Sequence, residues 1–593
     1  MAGSHRNGRQ KAVGRGTPDT EEPISPAAVM AAASNNQLQP PRGGIAASAA
    51  ATAVLSSFLF GYQTVVLNTC SGLIAVQMQW CGNDWESDCS DGVFNIGLLS
   101  SLVYLGAAVG AFLSGRQRVF AMGSRLQLVL SDMLFALGGL CYLAAEGLIL
   151  LLAGRALSGV ALGLCAIAGP VYIAEVSPRE RRGIFSAFHG VGITVGILFA
   201  NSLGLMQNPA PSGPGETLQG IDVWYWRFLL GFQLLPALLQ AFLFLRVLTI
   251  DPPSFLIMRS YENLETNPSI ARNCEDEARK LLYRTYGVDL PNTDFDANGC
   301  SWECLQLELR INELKEAAES AKAVPPIRVQ QAMFDPFFRP ALLIGFGLAA
   351  FQQLSGINAL MGYSNTLLRQ GGIPGSYLTV ASTGVSIANV CASLLSSRLV
   401  DNRGRRALLL GGSLGQAFSM GTLAICASSA SSLPRVLVSA STVIAFSLFV
   451  TSFSAGLGAI TWLYLAEIYP MEIRGSALSN CGILNWLCSF AMVFLAGFLN
   501  LSQTCVLFFW ISFVGSVGVY YWVIETKGFS MDDSPLTPRS GRSSSTLLTP
   551  NANSPKVTDY VKMEEEEDDV DDMTVNIQEV QVSSSMQRKA AGA

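Results

Sequence analysis

Residues 148–174 read LILLLAGRALSGVALGLCAIAGPVYIA, with Arg155 the one charged side chain. About 20 mostly apolar residues in helical form cross the hydrocarbon core of a bilayer, and this stretch exceeds that length. Runs of the same character occupy 45–68, 93–115, 126–146, 184–207 and 225–249. After a polar gap they resume at 338–364, 375–399, 407–428, 436–463, 475–498 and 503–524. The count is roughly twelve spans in two groups of six. Buried helices of a soluble protein would not supply so many long runs. Composition agrees: half of the chain is hydrophobic and 14% is charged, where soluble chains carry about a quarter. Mean hydropathy is +0.37. The net charge of −6 comes with acids gathered near the C-terminal end, and no basic footprint for nucleic acid is present.

Lysine and arginine in short loops set orientation. Arg116, Arg118 and Arg125 lie in the second loop, Arg179, Arg181 and Arg182 in the fourth, Arg403, Arg405 and Arg406 in the eighth, and Arg474 in the tenth. The first loop, Cys70 to Asp91, has acids and no Lys or Arg. Both termini are therefore expected to be cytoplasmic. Residues 1–44 lack the apolar core and cleavage site of a signal peptide and read as a disordered cytoplasmic segment. Residues 45–250 read as one six-helix bundle and 338–526 as another. Between them, 251–337 reads as a cytoplasmic helical linker, because 303–323 combines helix formers with Glu-to-Lys spacing. Residues 527–593 read as a disordered acidic tail, whose Ser534-Pro535, Thr537-Pro538, Thr549-Pro550 and Ser554-Pro555 pairs suit kinases as partners. Most of the thirteen cysteines fall in apolar spans, Cys141, Cys165, Cys391 and Cys488 among them, as small hydrophobes. Cys81 and Cys89 share the first loop and are placed to pair. Cys300 and Cys304 have no nearby further ligands, so no zinc site is expected.

Several short motifs stand out, and the two stretches with an acid followed by Arg-Gly occupy matching places in the two halves. The first half has Phe60-Gly61-Tyr62-Gln63, Gly154-Arg155, then 172–178 (YIAEVSP) closing on Arg182-Gly183. The second half has 352–358 (QQLSGIN), 401–406 (DNRGRR), Glu467 with Pro470, Arg474-Gly475 and 525–528 (ETKG). From about Phe58 to Gly528 the chain resembles the sugar-porter family of the major facilitator superfamily, and within it the facilitative glucose (hexose) transporters. The resemblance implies an all-α membrane protein of the major facilitator fold. It would have about twelve transmembrane helices in two six-helix bundles with pseudo-two-fold symmetry, and an integral place in the plasma membrane with lipids around it.

Arg155, Glu175, Arg182, Arg405, Arg406, Glu467 and Arg474 read as charges at cytoplasmic helix ends, where charge is tolerated if paired. By analogy with the family they form an inter-half ion-pair network that closes the inner mouth. Plain positive-inside topology accounts for the arginines but not for glutamates at matching places.

The solute site centres on Gln352, Gln353 and Asn358. A sugar carries donors and acceptors all round, and a carboxamide offers both. In a straight helix the three amides would point near 0°, about 100° and about 240° and could not share a cavity. Ser355-Gly356 offers a place to break the helix so that they converge. The resemblance adds Asn389, Trp462, Asn485 and Trp486, the indoles as flat faces for a sugar ring. It also shows departures. Gly190 follows His189 where glucose transporters have Gln, Ser454 stands where they have Glu, and Ser254 stands where they have Arg. The loop motif before span 3 is worn to 121–125 (AMGSR).

No catalytic constellation, metal set or cofactor motif is found, and the chain is read as a non-enzyme. Neither of the two histidines, His5 and His189, sits in a catalytic pattern, and His189 is read as packing or hydrogen-bonding. Gln63 is the coupling position: proton-coupled sugar porters have Asp there, paired to the Arg of span 4, and Gln cannot exchange a proton near neutral pH. The reading is uniport of a hexose such as glucose. The alternatives are a proton-coupled hexose or myo-inositol symporter, and a non-transporting sugar sensor signalling through its tail. Asp132, two turns into span 3, is read as hydrogen-bonding locally near the cytoplasmic end.

Overall fold

A computed structural model of the chain describes residues 44–80, 90–116, 119, 121–178, 182–207, 222–288, 302–323, 327–429, 432–527 and 536. The expectations for the N-terminal segment, the Cys81–Cys89 pair, Cys300 and the acidic tail lie outside the described residues. Among the described residues, twelve helices are long and apolar enough to cross a membrane. In the first half, spans 1 to 6 are Ile45–Gln77, Asp91–Ser114, Gly123–Leu143, Leu148–Val176, Ala187–Gly204 and Trp224–Val247. In the second half, spans 7 to 12 are Arg339–Gly362, Gly375–Val400, Arg405–Ser428, Arg435–Ile468, Ile473–Ala496 and Leu501–Trp522. Span 1 outruns its apolar core because a helix once formed continues through Asn68, Thr69 and Cys70, whose side chains are buried.

Many large apolar side chains face outward, including Leu137, Phe418, Ile425, Val436 and Ile444. On a soluble protein such a surface would aggregate; facing lipid, it is the solvated surface. Interiors are closed instead by small residues. Gly106 and Gly110 of span 2 meet Gly159 and Gly163 of span 4 so tightly that a Cβ at Gly163 would lie 2.1 Å from the Ala107 carbonyl oxygen. This is the small-xxx-small packing of membrane helices.

The two halves repeat one plan. In the first, span 1 packs on 5, 2 on 4, 3 on 4 and 3 on 6; in the second, 7 packs on 11, 8 on 10, 9 on 10 and 9 on 12. Adding six to each number of the first set gives the second, which is the pseudo-two-fold symmetry of the major facilitator fold. Glycines at positive φ stand at the starts of spans 3 and 9, Gly123 (φ 80°) as the first residue of span 3 and Gly404 (φ 83°) just before span 9. The halves join where span 2 packs on span 11 and span 5 on span 8, again exchanged by the symmetry.

Between the halves, helices Pro253–Asn263, Pro268–Tyr286 and Trp302–Ala323 form their own apolar cluster around Leu256, Leu282, Leu307 and Ile311. Ion pairs Arg279–Glu308 and Lys315–Glu275 tie the second of these helices to the third. Cys304 is buried in that cluster as a small hydrophobe.

Candidate solute site

Span 7 is not continuous. Its first helix ends at Leu354, and Gly356 takes φ 92°, ψ 15° before a second helix starts at Ile357. A side chain at 356 would meet the ring of Phe508 at 2.3 Å, so Gly is required for both backbone and space. The break turns the three amides toward one another and toward span 11. Asn358 Nδ2 donates to Gln353 Oε1 (2.7 Å) and to Ser489 Oγ (2.8 Å). Gln353 Nε2 donates to Asn485 Oδ1 (3.2 Å). Asn485 Nδ2 donates to Gln352 Oε1 and the Ala349 carbonyl, both at 2.9 Å.

Span 10 supplies the other end of this chain of bonds. Its helix widens into a π turn over Ser454–Gly458, and the Leu457 carbonyl accepts from Gln352 Nε2 at 3.0 Å. In the same turn Ser454 Oγ donates to Asn389 Oδ1 of span 8 at 2.6 Å. Gln352, Gln353, Asn358, Asn389, Asn485 and Trp486 are all buried. Among the described residues, Asn358 Oδ1 and Asn389 Nδ2 have no protein hydrogen-bond partner. The site thus keeps one acceptor and one donor in hand. Trp486 packs between aromatic rings of the other half, Phe60 at 5.5 Å and Tyr104 at 6.2 Å. Trp462 stands apart, 39% exposed, with its ring edge toward Gly482 of span 11.

The surroundings are closed toward both faces. On the face away from the arginines, Asn68 Nδ2 donates to Ser364 Oγ (2.9 Å) and its Oδ1 accepts from the Asn365 amide (3.0 Å). Asn201 Nδ2 donates to Ser386 Oγ at 2.7 Å across spans 5 and 8. Toward the Arg-rich face, a Cβ at Gly115, just past span 2, would lie 2.6 Å from Ser479 Oγ of span 11. This is an occluded arrangement.

At the Arg-rich face, Arg405 pairs with Glu467 at 2.8 Å, and Thr526 Oγ1 donates to the same carboxylate. Glu525 accepts from the backbone amides of Arg405 (2.8 Å) and Arg406 (3.1 Å), at the positive end of span 9. Arg406 donates to the Tyr520 carbonyl and Arg474 to the Tyr469 carbonyl. In the first half Glu175 accepts from Ser124 (3.3 Å) and Ser254 (2.9 Å). Arg125 pairs with Asp251 at 2.7 Å. Both Arg405–Glu467 and Arg125–Asp251 close within one half. The side chain of Arg182 lies outside the described residues.

Arg155 requires a correction: it does not belong to this face. Span 4 enters the bundle at Leu148 from the opposite face, and Glu175 near its far end lies about 30 Å along the axis from Arg155 at 1.5 Å per residue. Arg155 is buried, donating to the Leu99 carbonyl (2.9 Å) and to Gln63 Oε1 (3.2 Å). Gln63 in turn donates to Gln233 Oε1, and Gln233 reaches Ser158 Oγ (3.0 Å) and the Phe135 carbonyl (2.9 Å). Among the described residues Arg155 has no carboxylate partner. The reading of Asp132 also changes: neither carboxylate oxygen has a hydrogen-bond partner, and the residue is fully buried. His189 hydrogen-bonds with Ser57 Oγ at 2.7 Å.

Sequence reasoning missed Ser489, the Ala349 and Leu457 carbonyls, and Gln233. Gln233 carried a signal, as an amide inside an apolar run; the two carbonyls carried none.

Comparison with known proteins follows the same lines. The family model "Sugar (and other) transporter" matches residues 49–535. "Hexose transporter 1" of Toxoplasma gondii is 32% identical over 492 residues, covering 82% of this chain and 81% of that one. "Solute carrier family 2, facilitated glucose transporter member 1" of Gallus gallus is 29% identical over 514 residues, covering 84% and 94%. Among solved structures, the proton:xylose symporter XylE bound to 6-bromo-6-deoxy-D-glucose has a TM-score of 0.63 at 20% identity, covering 82% of this chain and 98% of that one. At that identity it speaks for the fold alone.

Proposed function

Because the chain belongs to the sugar (and other) transporter family, we propose that it moves a hexose such as glucose across a membrane by alternating access, as a uniporter. The observation that carries the reading is the amide chain from Asn358 through Gln353 and Asn485 to Gln352. These four side chains hydrogen-bond one another, so each of them has at least one protein partner. A sugar hydroxyl can donate to Asn358 Oδ1, accept from Asn389 Nδ2, and replace amide–amide bonds one for one. Trp486 offers a flat ring for the apolar face of the sugar, and Trp462 a second one once the halves move. The hexose names of the relatives support this substrate class.

Uniport is supported by Gln63. The guanidinium of Arg155 has an amide beside it where a titrating acid would be needed, so the driving force is the sugar's own gradient. The pairs at the Arg-rich face, with Glu175, Arg182 and Arg474, brace the inner ends of the spans within each half, so that each bundle rocks as one body. The arginine-rich loops support cytoplasmic termini; the proposal places the protein in the plasma membrane, with two bundles at 45–250 and 338–526, a capping linker at 251–337 and a tail open to kinases. The test is uptake of labelled hexose by purified protein in liposomes. Saturable, stereoselective entry supports the proposal; binding without entry would make the protein a sensor instead.

A further inference from the structure

Transport as derived above leaves one buried acid without a task. Asp132 of span 3 is fully buried, and neither of its oxygens has a hydrogen-bond partner. Gln240 of span 6 is fully buried too, and both ends of its carboxamide lack partners. The antiparallel register of spans 3 and 6 sets them at one level on facing helices. Gly139 lies against Gln233 and Leu234, and Arg125 donates to the Phe244 carbonyl at 3.0 Å. Asp132 falls midway between 125 and 139, and Gln240 falls between 234 and 244, so the two stand at one depth.

Span 4 closes the third side. Its Cys165 lies near enough to Asp132 to feel its charge, and that thiol donates to the Leu162 carbonyl at 3.3 Å. The nearest cations are off level. Arg125, paired to Asp251, lies about 10 Å along the axis toward one face, and Arg155 near the level of Gly138, about 9 Å toward the other. Span 1 and span 6 present no further charge at this depth.

An ionised carboxylate with no counter-charge and no donor is not tolerated in such surroundings. A neutral acid with a small polar guest is. Two carboxyl oxygens and a carboxamide at one level, all buried and without protein partners, offer the two to four polar contacts that a buried water molecule needs, and orphaned groups of this kind call for an occupant. We propose that Asp132 and Gln240 form a proton-binding site, separate from the sugar site, in which the carboxylic acid is bridged through water to the carboxamide and sets the rate of transport.

Span 6 indicates the side from which the proton exchanges. Just beyond Gln240 its helix loosens into a π turn, Leu243–Val247, leading to the Arg-rich face; such turns interrupt helices at functional positions. Span 3 packs on spans 1, 4 and 6 of its own half, so the proton does not lie on the path between the halves and is not carried with the sugar. Losing it places a bare charge between spans 3 and 6, which forces them apart and disfavours the occluded state.

The protonation stands alone; its effect on rate rests on the sugar-transport reading. The test uses purified full-length protein in lipid nanodiscs and in liposomes. Infrared spectra of the parent should show the carbonyl band of a protonated carboxylic acid at neutral pH. Asp132→Asn should lose it, and Gln240→Met, which removes the bridging partner and keeps the volume, should shift it. Sugar exchange at equal concentrations should fall several-fold as pH on the Arg-rich side rises from mildly acidic to mildly alkaline, and should stay flat in Asp132→Asn. Identical spectra of parent and Asp132→Asn throughout the pH range of the folded protein would overturn the site. So would a sodium-dependent rise in melting temperature, lost in Asp132→Asn, with no carbonyl band. Equal pH profiles in parent and variant would overturn the control of rate. A parent that binds protons at Asp132 but exchanges no sugar would sink the transport reading and leave the proton site standing.

Discussion

Replacing Asn358 by Ala tests the site most sharply, because this amide has both a structural and a spare end. Its Nδ2 donates to Gln353 Oε1 at 2.7 Å and to Ser489 Oγ at 2.8 Å. Without it, Gln353 Oε1 keeps no donor in a buried place, which costs the empty closed state about 1–3 kcal/mol. A sugar hydroxyl that donated to Asn358 Oδ1 loses one neutral hydrogen bond, worth about 0.5–1.5 kcal/mol, or roughly 2- to 13-fold in half-saturation. The two effects separate by assay. Melting temperature of the empty protein should drop, and the concentration dependence of labelled-hexose exchange should shift to higher sugar within that range. Leu343→Ala, on the exposed side of the same span, should leave half-saturation unchanged. Half-saturation equal to the parent at full expression, with a lowered melting temperature, would mean that Asn358 only packs the helices.

Three other perturbations probe other parts. Glu467→Gln removes the charge facing Arg405, a contact worth about 1.5–3 kcal/mol, and should raise the labelling rate of a cysteine placed at Ser479; an unchanged rate would leave the pair as local bracing. Gly356→Ala forces a left-handed residue, costing about 1–2 kcal/mol, and a clash with Phe508. It should lower both melting temperature and sugar affinity, and normal values would show that span 7 can straighten without harm. Gln63→Asp gives Arg155 a carboxylate. Net uptake should then depend on an imposed pH gradient as it does not in the parent, and persistent indifference would mean that the charge at 63 does not govern coupling.

The fold was legible because its cause is local. An apolar run of sufficient length such as 148–174 has one structure available in lipid, and twelve of them in two groups leave few arrangements. The break in span 7 was legible for the same kind of reason: Gln352, Gln353 and Asn358 could converge only if Ser355-Gly356 bent, and Gly was the residue able to do it. What sequence hid depends on depth and on carbonyls. Arg155 was read onto the wrong face because its motif resembles the charged ends in kind, while its position depends on the direction in which span 4 runs. Asp132 was expected to find a local partner, and the packing of three helices denied it one. The Leu457 carbonyl became an acceptor only because span 10 widens at Ser454–Gly458, which no residue type announces.

Hexose uniport is tested most directly by net uptake of labelled glucose into liposomes holding the purified protein, with and without a proton gradient. The expected result is saturable entry that stops when inside and outside concentrations are equal, whatever the gradient, and that speeds up when unlabelled sugar is loaded inside. Accumulation above the outside concentration when the gradient is imposed, or no entry at all at a sugar concentration that the protein binds, would contradict it.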